Sequence, residues 1–173
     1  MFQILVFAGT FKDKIFGLKI IEGNFNGVSY RRHVIRNCLP EMRDINGGTL
    51  DGATWMQDGA SIHRNSNFMD FLDEKFEGRV LAMGAETNGR KGHCWAPRSP
   101  DLTVCDFALW PVLKRRVYLH PRPKTLEELE KKIKAEIDSI NNEPGLIDRC
   151  HLSVRKRANL YVQNNGGHFE IFK

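Results

Sequence analysis

Trp55-Met56-Gln57-Asp58-Gly59-Ala60-Ser61-Ile62-His63 is the stretch on which the reading of the fold turns. Ala53 to Gln57 reads as a short strand, stopped by Asp58-Gly59. Glycine and alanine follow the aspartate, so little bulk crowds its carboxylate. In open α/β sheets, carboxylates at the C-terminal ends of strands face the ligand crevice. Asp-Gly is also the commonest hairpin turn signal. A functional acid and a turn aspartate are therefore both open at this point.

Downstream, a helix is expected from about Asn65 to Phe76, with Phe68, Phe71, Leu72 and Phe76 on one side. Arg79 to Met83 reads as another strand. Strand, helix, strand in that order implies an α/β layer with parallel pairing. Upstream, Phe2 to Ala8 is β-branched and aromatic and reads as a buried strand closed by Gly9. Lys12-Asp13 turns the chain into a second strand, Lys14 to Glu22. After the loop Gly23 to Gly27 a helix is expected, Ser29 to Met42, carrying Tyr30, Val34, Cys38 and Met42 at four-residue steps. Asn46-Gly47-Gly48 breaks it.

The remaining elements are helical. Gly84 to Cys94 is rich in Gly, Asn and Lys and reads as a surface loop. A helix is expected from Ser99, with Pro100 at a tolerated position, to about Tyr118. Pro121 and Pro123 end it. Thr125 and Glu128 form a capping box, followed by the stripe Leu126, Leu129, Ile133, Ile137 and Ile140. A last helix, Leu146 to Gln163, is basic in its middle and stops at Gly166-Gly167-His168.

Composition bounds the possibilities. At 173 residues the chain suits one domain with a buried core. Its 41% apolar and 27% charged residues argue against disorder. A net charge of +5 fits a nucleic-acid partner and equally an ordinary solvated surface. Cys38, Cys94, Cys105 and Cys150 form no C-x-x-C pair. The doublets His93-Cys94 and Cys150-His151 are poor zinc chelates, because structural sites space their paired ligands. A reducing compartment is expected. Met1 leads straight into a strand-like run without the basic start of a signal peptide, and the apolar runs are too short to span a bilayer. No membrane and no small-molecule substrate are expected.

Asp106 lies in the first turns of the helix after Ser99, with Asp101 a turn or two earlier. Carboxylates from two elements meeting in one crevice would suit Mg²⁺, a hard cation that takes few protein oxygens. On spacing alone, an aspartate there is more simply read as complementing the helix dipole. The surrounding strings add information. Trp55 to His63, and Trp95-Ala-Pro-Arg-Ser-Pro-Asp101-Leu-Thr-Val-Cys-Asp106-Phe-Ala-Leu-Trp110, closely resemble two signatures of mariner-type DNA transposases. Gly27, Val28 and Tyr30, the opening strand, Lys114 to Tyr118, the Pro123 to Leu129 helix start and the segment Gly166 to Glu170 extend the resemblance. Nearly the whole chain is covered, by the family's later portion only.

The resemblance implies an RNase H-like α/β fold, a mixed sheet flanked by helices with an acidic triad. Residues 1–120 would carry the sheet and the acidic site, and 121–173 the C-terminal helices of the same partial domain. Asp58 matches the second carboxylate and Asp106 the third; both would be catalytic metal ligands. Asp101 matches the motif's other aspartate, with a structural role. His63 falls on the family's histidine, either beside the metals or, the favoured reading, making a local backbone hydrogen bond. The 48 positions from Asp58 to Asp106 are somewhat more than the family shows, and the Gly84 to Cys94 loop is the natural place for the extra residues. The implied chemistry is Mg²⁺- or Mn²⁺-dependent cleavage and transfer of DNA strands, with transposon ends as substrate, in the nucleus.

In such folds three antiparallel strands precede the first long helix, and the first of them carries the first carboxylate. Here two strands precede the helix, Asp13 is in a turn and Glu22 closes a strand. The expectation is a domain lacking its central first strand, that strand's carboxylate and the N-terminal DNA-binding modules, and therefore inactive. The strands on either side would be left with a gap, or Phe2–Ala8 would pair with the Trp55 strand. Lys114, Arg115, Arg116, Arg155, Lys156 and Arg157 could contact phosphates or form solvated helix faces. Two functions stay open: a DNA-cleaving enzyme, or a non-catalytic remnant binding DNA or another transposase subunit.

Overall fold

Asn26 starts the first helix: its side-chain oxygen accepts from the N–H groups of Val28 and Ser29, while Ser29 Oγ accepts from the N–H of Asn26. This reciprocal cap satisfies donors that a helix start leaves orphaned. The computed structural model describes residues 4–96 and 99–165. The expected strand residues Phe2 and Gln3, and the expected terminator Gly166-Gly167-His168, lie outside the described residues. The chain forms two compact units, Met1–Phe11 with Phe16–Ser99, and Lys12–Ile15 with Pro100–Lys173.

In the first unit, α1 (Gly27–His33), a π-turn (Val34–Cys38) and α2 (Leu39–Ile45) follow without a break. The π-turn accounts for the four-residue spacing. In an α-helix each four-residue step drifts about 40° around the axis. A π-turn is closed by a bond five residues back, here Leu39 N–H to Val34 O, and takes up the extra residue. Tyr30, Val34, Cys38 and Met42 consequently stay in one line, and all four are buried. Pro40 supplies the cause. It has no N–H, and its ring would strike the carbonyl four residues back, that of Arg36, in a regular α-helix. The π-turn encloses that carbonyl.

The sheet is smaller than expected. β1 (Leu5–Phe11) and β2 (Lys14–Ile21) form one two-stranded ladder, turned at Lys12. β1 runs through Gly9 rather than ending at Ala8. A Cβ at Gly9 would lie 2.7 Å from the Phe16 ring, so glycine lets the strands close there. β3 (Trp55–Met56), β4 (Val80–Ala82) and β5 (His93–Cys94) form a separate parallel ladder. The register pairs Trp55 with Val80 and Leu81 with His93. α3 (Ser66–Lys75) makes the crossover from β3 to β4. His93-Cys94 was expected to be loop. It pairs because Gly92 has no side chain, where a Cβ would sit 2.7 Å from Val80 O.

Among the described residues no ladder joins β1 to β3. Of the two expected outcomes, the structure shows separate strands and not the Phe2–Ala8 to Trp55 pairing. The core of this unit is built on helices: Tyr30, Val34, Cys38, Met42, Phe68, Leu72 and Phe76 surround Trp55, Val80 and Ala82.

The second unit is helical. A 3₁₀ turn (Pro100–Leu102), a π-turn (Cys105–Leu109) and α4 (Trp110–Val117) replace the single helix expected from Ser99 to Tyr118. The second π-turn repeats the logic of the first: Trp110 N–H donates to Cys105 O, and Pro111 follows, with Phe107 four residues before it. α5 (Leu126–Asn141) buries Leu129, Ile133, Ile137 and Ile140; Leu126, in the first turn, stays exposed. Thr125 Oγ1 caps the Glu128 N–H as expected, whereas Glu128 reaches back to the N–H of Lys124. α6 (Leu146–Gln163) matches its expected span. The Asp13 carboxylate accepts from the N–H groups of Gly145, Ile147 and Asp148 at the start of α6. Those donors, Gly145 foremost, hold its carboxyl below the usual range.

Two-stranded ladders are marginal without packing support. Amides of β1 and β2 are therefore expected to exchange through local opening, well before those of α1 to α3. Native-state hydrogen exchange checks this; equal, global protection of β1 and α3 would contradict it.

Candidate metal and nucleic-acid site

β3 aims Asp58. Trp55 N–H donates to Arg79 O and Gln57 N–H to Leu81 O, so the ladder persists to the residue before the aspartate. Asp58 then leaves the C-terminal end of a parallel strand, as expected. Residues alternate across a strand, so Trp55 and Gln57 share the inward face. Gln57 is buried, and its carboxamide is fully used. Its Oε1 accepts from Tyr30 Oη at 2.7 Å and Trp55 Nε1 at 3.0 Å. Its Nε2 donates to His63 O at 3.2 Å and to Met69 Sδ at 3.4 Å.

This network places His63. The turn Ser61–His63 returns the imidazole over Tyr30, with ring centroids 4.5 Å apart. His63 Nδ1 lies 2.7 Å from Asp58 Oδ1 and 3.3 Å from Asp58 O. The favoured expectation of a local backbone contact is thus exceeded: His63 binds the candidate metal-ligand carboxylate itself. Asp58 Oδ1 also accepts from the Ala60 N–H at 3.0 Å. Arg64 braces the loop by donating Nε and Nη2 to Gly59 O. The His63 hydrogen bond, then the Ala60 N–H and the nearby charges of His63 and Arg64, lower the Asp58 carboxyl below its ordinary value against the opposing effect of partial burial.

Asp106 lies in the second unit, within the π-turn that Pro111 imposes. Arg157 of α6 supports this region. Its guanidinium sits 4.0 Å from the Phe107 ring centroid, and Nη1 donates to Asp101 O at 3.3 Å. Asp101 is in the 3₁₀ turn. Of the six basic residues considered for phosphate contact, Arg157 is turned inward, and Arg116 pairs with Glu143 at 2.7 Å. Lys114, Arg115, Arg155 and Lys156 are exposed. Burial pushes the Cys38 thiol up to about 12, which makes it a core residue and not a ligand.

Asp58 Oδ2 has no hydrogen-bond partner among the described residues, and the side chain is 45% exposed. A free, ionised carboxylate oxygen fits a hard divalent cation. Within the described residues no three His, Cys, Asp or Glu side chains gather as a metal-holding group. Gln57 and Tyr30 are site residues that the motif strings alone do not single out. The available signal was a glutamine on the buried face of a strand, which must find partners.

No family model matches the chain, and no curated protein matches it. Among solved structures, the catalytic domain of Mos1 transposase, determined with raltegravir and manganese, is similar at a TM-score of 0.65 and 14% identity. The similarity covers 96% of this chain and 83% of that one. The fold is therefore of the RNase H-like α/β class, a mixed α/β arrangement with a small parallel sheet flanked by helices.

Two outcomes follow. Gln57→Leu leaves Tyr30 Oη, Trp55 Nε1 and His63 O unpaired, at roughly 1–3 kcal/mol for each buried group, whereas Tyr30→Phe should cost about 1 kcal/mol. Urea denaturation ranks them, and a Gln57→Leu cost no larger than that of Tyr30→Phe would contradict the network. For pH, the folded value of Asp58 lies below its unfolded value of about 3.9. Its pair with His63 thus contributes stability above that pH and loses it as pH falls through the depressed value. An NMR titration of the Asp58 carboxyl carbon should show the low midpoint, and His63→Ala should move it upward.

Proposed function

We propose that this chain is part of a mariner-type transposase catalytic domain, retaining Asp58 and Asp106 from a metal-dependent strand-cleavage site, and that these 173 residues alone do not cleave DNA. The observation that carries the reading is Asp58 itself: a carboxylate off the end of a parallel strand, held ionised by His63, with one oxygen free. The transposase-like fold supports it, as do the matching motif strings around Asp58 and Asp106.

By the family resemblance Asp58 in the first unit and Asp106 in the second each carry a metal-ligand role, for Mg²⁺ or Mn²⁺, which when bound activates water or a 3′-hydroxyl and stabilises the leaving oxygen of the phosphodiester. The role of the protein is positional. Gln57 fixes the His63 turn, His63 fixes one oxygen of Asp58, and the Pro111 π-turn sets Asp106. Two carboxylates are too few for a pair of close cations, whose mutual repulsion needs further anionic ligands. Nuclear DNA is the substrate class, and another transposase subunit is a fitting partner. Among the described residues no helix is long and apolar enough to cross a membrane.

Incubation of supercoiled plasmid with the protein and Mg²⁺ or Mn²⁺ should give no more nicked product than the Asp58→Asn variant. Mn²⁺ should nevertheless broaden the NMR signals around Asp58 in the wild type and not in Asp58→Asn. Nicking that depends on Asp58 would establish an active enzyme and overturn the inactivity. Absence of broadening at Asp58 would remove the metal site.

A further inference from the structure

The described arginines of the first unit divide by position. Those away from α1 and α2 are spent on the protein: Arg64 on Gly59 O, Arg79 on Ala53 O and Glu77, and Arg90 on Asp70, Thr87 and the Gly84 carbonyl. Arg31, Arg32, Arg36 and Arg43, all on the helix from α1 to α2, are exposed. Among the described residues their guanidinium groups have no ion pair or hydrogen bond. Arg32 and Arg36 stand opposite the buried line Tyr30, Val34, Cys38 and Met42.

This face is electrostatically unbalanced. Like charges one helical turn apart, as at Arg32 and Arg36, are destabilising. The acids of the same helix are Glu41, Asp44 and no others, and the Glu41 carboxylate is occupied by the N–H of Gly17 at 2.7 Å. The arginines extend over about 18 Å from Arg31 to Arg43, at 1.5 Å per residue. Along the duplex axis that length spans about five base pairs of B-DNA at 3.4 Å of rise each. Arginine presents a planar fork of donors suited to phosphate oxygens. Insertion into a bilayer is ruled out for this helix, because its apolar side is buried in the core.

We propose that Arg31, Arg32, Arg36 and Arg43 form a binding face for the sugar-phosphate backbone of duplex DNA, separate from the Asp58 half-site and without base-specific contacts. The inference rests on the proposed function only for DNA as the partner.

The test is fluorescence anisotropy with a random-sequence duplex of about 20 base pairs, in chelator and across a salt series, where each phosphate contact contributes a slope of about 0.9 in log K against log salt. Arg32→Gln/Arg36→Gln/Arg43→Gln should lower the slope by about 2 to 3 and weaken binding at least about tenfold at low salt. The corresponding triple lysine variant should keep most of the slope, which separates lost charge from a lost fold. An unchanged slope in the glutamine variant, or a wild-type protein that binds no duplex, overturns the proposal. So does a loss confined to phosphatidylserine vesicles. Binding lost in the glutamine variant with no Mn²⁺ effect at Asp58 keeps this face and sinks the metal site. The reverse result keeps the metal site and sinks this face.

Discussion

The Gln57 carboxamide has two acceptor positions and two donors, and it sits where water cannot reach them. Tyr30, Trp55, His63 and Met69 meet all four. An amide satisfied from four directions ties a strand, a helix, a turn and a second helix to a single geometry, since loss of any partner leaves a buried polar atom exposed to its full desolvation cost. Asp58 is the next residue along the chain, and the His63 that binds it hangs from the same amide. The placement of the acid is thus inherited from a core constraint, and the free Oδ2 is what that constraint leaves facing solvent.

Two prolines play a similar part at the level of backbone. Pro40 and Pro111 each follow a π-turn that encloses the carbonyl their rings would otherwise strike. In the first unit the turn straightens the drifting line of Tyr30, Val34, Cys38 and Met42 into one buried seam, and by the same geometry leaves Arg32 and Arg36 together on the outer side. In the second it carries Asp106. A single steric rule therefore shapes both the core helix and the segment holding the second acid.

Charge is used unevenly. Asp13, Arg64, Arg90, Arg116 and Arg157 all bind backbone or side chains that would otherwise be loosely held: a helix start, a loop carbonyl, an aromatic ring. The basic runs in the sequence are consequently partial guides to surface charge. Arg157 and Arg116 are withdrawn from it, Lys114, Arg115, Arg155 and Lys156 stay exposed, and the less conspicuous arginines of the first helix add to it.

Much was legible without coordinates. Asp58 at a strand end, the Thr125 cap, the Leu129 to Ile140 stripe, the α6 span and the four-residue line from Tyr30 to Met42 follow from local periodicity and capping chemistry, which act within a few residues. What the tertiary structure alone decided is of longer range. His93-Cys94 became a strand because Gly92 admits Val80, and the Trp55 strand kept two paired residues because its ladder extends on one side only. The expected helix from Ser99 divided into a 3₁₀ turn, a π-turn and α4. His63 holds the Asp58 carboxylate beside its local backbone contact, its ring set against Tyr30 from a distant helix and its carbonyl held by Gln57. The sequence determined which residues could serve, through side-chain chemistry and local spacing; which of them are free to act depended on the partners each polar group found once the core had closed.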